Sequence, residues 1–537
     1  MKIRVVIIAW LSTFAALAQA PYWVYLNGGK TTDCVQLSLH AQAKRYERGI
    51  ALDARDYPIN AAWVRLVAER VDAVYGPSRW LNAIAVSAYP EQVADLLNLS
   101  FVSRVAPMRK YNLAISDAPF VAETDPVSPL GDAYSANTAV LGAAAAQMEQ
   151  IAAEFAFNSG FRGQGMTIAV FDGGFNQVDQ MGVFDHLFAD GRLLGTWDLV
   201  ADSTVFAFSN HGTHVLSIMA AFDSSIFVGP APDANYYLFR TEDVSSETHL
   251  EEYNWLRAAE MADSLGVDVI NSSLGYTVFD EGELDYEYSN MDGNQTVVTQ
   301  AADWAASKGI LVVNSNGNYA QNGWTYMGAP ADGDSVLAVG AVDSLGMIAP
   351  FSSLGPTYDG RIKPNVSARG AATALVSVWN NVQYGNGTSY SGPLIAAASA
   401  SLWQQFPNLS NMEIISGIEQ SAHLAQIPNN TYGYGIPNYQ LAAGLFSAGL
   451  DELPESTWTI YPNPGNSDLH FFVKNPEPRS FYTLRLIDVA GKLVASWENL
   501  RDVYMKLEMP PHLPAGLYVV QFEQGLQVSI QKWIKLP

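Results

Sequence analysis

The sequence predicts an α/β protein whose main domain is a parallel, doubly wound sheet, preceded by a small α+β unit and followed by an all-β sandwich. Three patterns carry this reading. Between residues 137 and 449 five apolar runs, "MTIAVFD", "ANYYLFR", "VDVINSSL", "GILVVNSN" and "SVLAVGAV", alternate with helical stretches such as 250–265 and 296–308. The runs are nearly continuous in hydrophobicity, as strands covered on both faces are, and strand–helix alternation implies a parallel sheet. From 454 to 537 the texture changes to seven short alternating strands, from "TWTIYPNP" to "QVSIQKWIK", with turn residues between them, which is a β-sandwich pattern. From 21 to 111, "YWVYLN", a helix over 58–71, "RWLNAIAVSA", "PEQVADLL" and "FVSRVAPM" give strand, helix, strand, helix, strand, a split β-α-β order.

The remaining stretches read as processing segments. Residues 1–20 place Lys2 and Arg4 before a short apolar run that ends on Ala18-Gln19-Ala20, the layout of a cleavable signal peptide. Residues 112–136, rich in proline, acidic and small side chains, form a linker with a processing region. The chain of 537 residues is 49% hydrophobic and 15% charged, hence globular. Its net charge of −24 excludes a nucleic-acid partner, which would need a clustered basic face. The one cysteine, Cys34, leaves an exported chain stable without an internal disulfide.

Three residues carry chemistry. "MTIAVFDGGF" ends a buried strand on Asp172 and turns on glycines, so the carboxylate emerges at the rim where parallel sheets bind ligands. "SNHGTHVLSIMAA" starts a helix at His211, with Ser209 and Asn210 as candidate caps. "YGNGTSYSGPLIAAASA" puts Ser389 at the opening of an alanine-rich helix, whose first turn is read to hold Pro393. A serine hydroxyl is a weak nucleophile at neutral pH unless an imidazole takes its proton, and the imidazole needs an acceptor on its other nitrogen. His211 with His214 also forms an H-x-x-H pair, but no third ligand completes a metal site, so none is assigned.

These segments, with "VGPAPDA", "NSSLG", "VVNSNGN", "FSSLGPTYDGRIKPNV" and "YGYGIPN", stand in the order of the subtilisin-like serine proteases, and the chain resembles that family over most of 137–446. Asn365 replaces the family's aspartate, and "GTSYSGP" its "GTSMATP". The resemblance implies Asp172, His211 and Ser389 as the catalytic triad and Asn318 as a side-chain donor to the oxyanion. It implies that Ser273, Leu274 and Gly275 pair with an extended substrate, and that Asn314, Ser315, Asn316 and Gly317 wall the pocket for the residue before the scissile bond. The partners are then protein or peptide substrates, taken with broad specificity, and the enzyme acts as a monomer. No cofactor is required; calcium stays open in this family, although "DEGELDYEYSNMDGN" lacks a regular ligand spacing and reads as a solvated loop.

Residues 21–111 resemble the inhibitor-like propeptides of the same family, so the enzyme would be a zymogen restrained by its own propeptide. The tail, with "LIDVAGKLV" and "LPAGLYVVQFEQGLQVSIQKWIKLP", resembles the sorting domains of the type IX secretion system of Bacteroidetes. That machinery would be a further partner, and the protein would be secreted or held at the cell surface. The alternative from another class is a catalytically silent binding or adhesive protein on the same scaffold.

Overall fold

The computed structural model describes residues 19–32, 34–108, 138–280, 283–447, 458–461, 469–473, 481–488, 492–501, 504–524 and 527–535. The signal-peptide reading at 1–18 and the linker at 112–136 lie outside them. The chain divides into two compact units, Met1–Ser447 and Ala448–Pro537.

The first unit opens with the small α+β segment. Its elements are β1 (Ala20–Leu26), α1 (Leu39–Glu47), α2 (Ala61–Ala68), β2 (Ala73–Ser78), β3 (Ala83–Ala88), α3 (Pro90–Leu97) and β4 (Val102–Pro107). The strands form an antiparallel sheet in the order β2-β3-β1-β4. Alternation along β1 and β3 splits their side chains. Val24, Ile84 and Val86 join Val67 and Leu96 in a local core, while Trp23, Ala83 and Ala85 face the neighbouring helices. Two elements escape the sequence pattern here: β2, which carries Pro77 and is half exposed, and α1, which is polar.

The main fold follows, beginning with short helices α4 (Thr138–Leu141), α5 (Ala145–Gln150) and α6 (Glu154–Asn158). Next come β5 (Thr167–Asp172), α7 (Asp185–Ala189), β6 (Leu193–Asp198), α8 (His211–Ala220), the two-residue pair β7 (Phe222–Asp223) and β8 (Phe227–Val228), β9 (Asn235–Arg240) and α9 (His249–Leu265). The chain continues through β10 (Val269–Ser272), α10 (Val297–Ser307), β11 (Leu311–Ser315), β12 (Val336–Val342), β13 (Val366–Arg369) and the hairpin β14 (Thr373–Val376) and β15 (Val382–Gly385). It closes with α11 (Thr388–Gln405), α12 (Asn411–Ser421) and α13 (Tyr439–Ser447). Seven strands form one parallel sheet, β13-β12-β11-β10-β5-β9-β6. Ile168 and Val170 of β5 face a core shared with α8 and α11, while Ala169 and Phe171 face one shared with α9 and α10. Full burial of Ile168, Val170 and Phe171 contributes roughly 1.5–3 kcal/mol apiece.

The five expected strands are the inner members of this sheet. The edge strands β6 and β13 were not expected, because the first is half exposed and the second is only four residues long. The stretch read as a solvated loop is also corrected: Tyr286 and Asn290 are buried, and His249 at the start of α9 holds the carbonyl of Leu284 at 2.9 Å.

Opposite the rim of Asp172, α1 packs against α9, and its cations reach the residues just before β10 and β11. Lys44 Nζ reaches Asp268 at 2.6 Å and the carbonyl of Gly266, the cap of α9, at 2.9 Å. Arg48 reaches Asp268 at 2.5 Å and the carbonyl of Gly309, just past α10, at 2.9 Å. These cations sit where helix carbonyls lack partners and the dipole is negative. Asp268, 1% exposed, also accepts the amide of Thr167 at the start of β5. Arg45 lies between Asp56 and Asp263, and Lys308 pairs back with Asp53 and Asp56.

The second unit holds two antiparallel sheets. One contains β16 (Trp458–Tyr461), β17 (Leu469–Val473) and β20 (Tyr504–Leu507); the other, in order, β19 (Leu493–Leu500), β18 (Tyr482–Asp488), β21 (Gly516–Gln524) and β22 (Gln527–Lys535). Ile460, Leu469 and Phe471 of the first pack with Leu484, Leu486 and Val520 of the second, which makes a sandwich. No helix among the described residues is long and apolar enough to cross a membrane.

Candidate active site

Asp172 is the last residue of β5, fully buried, with both carboxylate oxygens 2.9 Å from Nδ1 of His211. Glycine makes this approach possible. A Cβ on Gly212 would lie 2.9 Å from the Cβ of Asp172 and 2.4 Å from the carbonyl oxygen of Gly174, so only a bare backbone lets α8 start here. Of the two candidate caps, Ser209 accepts the amide of His211 at 3.1 Å, while the Asn210 side chain makes no cap bond.

Ser389 is the second residue of α11 and 7% exposed, with its Oγ 3.4 Å from the carbonyl oxygen of Ser273. The ring of the next residue, Tyr390, lies 6.1 Å from that of His211, which sets the imidazole beside this turn. The reading of Pro393 in the first turn is corrected: it is the sixth residue of α11. An interior proline deprives the carbonyl four residues earlier of its donor. That carbonyl belongs to Ser389, and the Oγ of Ser273 takes it at 3.1 Å.

Asn318 is oriented by its oxygen, which accepts the amide and hydroxyl of Thr388 at 2.9 and 3.0 Å. Its Nδ2 therefore points away. The position a Cβ on Gly387 would occupy lies 3.6 Å from that Nδ2 and 3.6 Å from the amide nitrogen of Ser389, so two donors border one space beside the serine.

The stretch 314–317 is stitched to the same turn and to 273–275. Asn314 donates to the carbonyl of Leu274 at 3.0 Å, Ser315 to that of Thr388 at 2.9 Å, and Asn316 to that of Ser353 at 2.6 Å. The amide of Gly317 donates to the Thr388 hydroxyl at 3.1 Å. Asp172, His211, Ser389, Asn318, 273–275 and 314–317 thus gather at the carboxyl ends of β5, β10 and β11. Asn365 is accommodated as an amide: its oxygen accepts from Ala338 and Lys363, and its Nδ2 donates to Glu419 at 2.7 Å, where an aspartate would meet a like charge.

Two residues of this region carry no motif. Burial pushes Glu242 up to about 7, with the charge of Asp172 adding to the effect, and it accepts the Tyr276 hydroxyl at 2.6 Å. Tyr319 crosses between the two walls, its hydroxyl donating to Gly275 at 2.9 Å. Neither shows in hydrophobic period; only their places, two residues past the end of β9 and directly after Asn318, could have flagged them. Among the described residues no group of three or more His, Cys, Asp or Glu could hold a metal ion.

A buried carboxylate on an imidazole at the rim of a parallel sheet, beside a serine that opens a helix, is the setting of a serine hydrolase. Comparisons narrow the class. The subtilase family pattern matches residues 163–435, a Bacteroidota peptidase S8 propeptide domain matches 21–121, and a secretion system C-terminal sorting domain matches 459–536. Subtilisin from Bacillus pumilus is 32% identical over 304 residues, 55% of this chain and 97% of that protein. Subtilisin NAT from Bacillus subtilis subsp. natto is 32% identical over 304 residues, covering 70% of it. Among solved structures, MycP1 from Mycobacterium smegmatis is similar at 22% identity and a TM-score of 0.46, over 61% of this chain and 89% of that one. The chain belongs to the subtilase family. It is a secreted serine endopeptidase, made as a zymogen with its own propeptide, and its sorting domain directs it across the outer membrane.

Proposed function

We propose that Asp172, His211 and Ser389 hydrolyse peptide bonds through an acyl-enzyme. His211 takes the hydroxyl proton of Ser389 on Nε2 as the oxygen attacks the substrate carbonyl carbon, while Asp172 fixes the tautomer through Nδ1 and stabilises the imidazolium. The oxyanion sits between Asn318 Nδ2 and the amide of Ser389, at the opening of α11 where the helix dipole favours negative charge. His211 then protonates the leaving amine, and water repeats the sequence on the acyl ester. The observation that carries this reading is the paired 2.9 Å contact of a fully buried Asp172 with the ring that stands beside the Ser389 turn. The steps use side chains and backbone alone, so they ask for no cofactor.

Substrate lies extended along 273–275, with the side chain before the scissile bond against 314–317. Strand addition of this kind gives affinity without demanding a sequence. Ser389→Ala, His211→Ala and the double variant test the unit. Each single change is expected to lower kcat by about 10⁶, the scale set by subtilisin, and the double change to add almost nothing. Additive losses in casein or peptide hydrolysis would contradict a shared proton path.

A further inference from the structure

The two walls of the substrate pocket enclose a side chain of the protein itself. Tyr319 follows Asn318, and its ring is seated among three glycines. A Cβ on Gly317 would lie 2.7 Å from the ring atom Cε2, one on Gly328 3.2 Å from the same atom, and one on Gly275 3.3 Å from the hydroxyl. Any side chain at Gly317 would collide, and at the other two the ring would have to give. The seat depends on the missing Cβ at Gly317 and fits tightly against Gly328 and Gly275.

Both ends of the residue are tied. The amide of Tyr319 donates to Ser353 Oγ at 2.9 Å, and its hydroxyl donates to the carbonyl oxygen of Gly275 at 2.9 Å. The ring thus bridges the wall at 317 to the wall at 275, in the space expected to receive the side chain before the scissile bond.

We propose that Tyr319 occupies this pocket and sets specificity by volume, so that the enzyme prefers peptides with glycine, alanine or serine before the scissile bond and rejects large apolar residues there. The inference rests on the peptidase reading above. A phenol ring in the pocket removes the space that an aromatic or leucine side chain needs. To admit one, the protein would have to break the bond to Gly275 and move the ring out of its seat. Pocket contacts of one methylene already discriminate by roughly 10–200-fold.

The test uses the mature enzyme obtained by processing of the full chain, with chromogenic peptide anilides that differ only in the residue before the scissile bond. Active-site titration with a fluorophosphonate counts competent molecules in every preparation. The wild type is expected to favour alanine over phenylalanine by at least about tenfold in kcat/KM. Tyr319→Ala is expected to move that ratio toward phenylalanine by at least about tenfold, while Tyr319→Phe, which keeps the ring and loses the hydroxyl, keeps the preference for alanine. A titratable wild type that prefers leucine or phenylalanine overturns the proposal, as does Tyr319→Ala with an unchanged ratio. Should Tyr319→Ala not mature, the wild-type series and Tyr319→Phe still decide. A wild type that neither cleaves any peptide nor takes the label refutes the peptidase reading instead.

Discussion

Asn318 shows how a single side chain can be oriented without touching substrate. Its oxygen is held by two donors from Thr388, so the amide nitrogen is left to face the space it shares with the Ser389 amide. Replacing Asn318 by alanine is expected to lower kcat by about 10²–10³, the scale set by subtilisin, with little change in KM. Steady-state kinetics on one peptide anilide check this; a loss confined to KM would place Asn318 in ground-state binding. Asp172, His211, Ser389, Asn318 and the stretches 273–275 and 314–317 could be singled out as candidates because each sits in a short motif with a fixed neighbour. Glu242 and Tyr319 were not, since their roles depend on which other loop the fold sets against them.

Among the elements the sequence did announce, α11 and the loop after β10 were each misread in one respect. The alanine-rich helix was evident, but its proline was put too early, because nothing in the sequence says that Ser273 stands ready to bond the carbonyl that Pro393 frees. The loop is pinned by His249, whose Nδ1 lies 2.6 Å from Glu252 and whose Nε2 lies 2.9 Å from the carbonyl of Leu284. Two acceptors call for two ring protons. Burial works against the imidazolium, but the hydrogen bond and charge of Glu252 outweigh it, together with the Leu284 carbonyl and Glu283, and hold the group above its ordinary value. The stabilisation is therefore complete below the unfolded value of about 6.5 and is lost as pH rises through the higher folded value. Amide exchange in residues 283–288, corrected for its intrinsic pH dependence, is expected to speed up as pH rises through the raised folded value of His249 in the wild type and to lose that dependence in His249→Gln. Protection that is flat with pH in the wild type would contradict it.

For the molecule as a whole, the strands buried on both faces announced themselves as continuous apolar runs, and the tail sandwich by alternation. The inserted helix α1 did not, because its contacts are ionic rather than apolar. Lys44 and Arg48 neutralise Asp268, which in turn ties the start of β5 beside β10, at the end of the sheet away from Ser389. Removing the cations leaves a buried carboxylate unpaired, a change worth roughly 3–5 kcal/mol. The double variant Lys44→Ala, Arg48→Ala is expected to lower the denaturant midpoint of the Ser389→Ala zymogen accordingly, and an unchanged midpoint would show that Asp268 needs no propeptide partner. The most direct test of the central claim is the site of covalent capture in the mature enzyme. A fluorophosphonate is expected to form a single adduct, mapped by mass spectrometry to Ser389, with casein hydrolysis falling in proportion. An adduct on another residue, or hydrolysis that persists once Ser389 is fully modified, would contradict it.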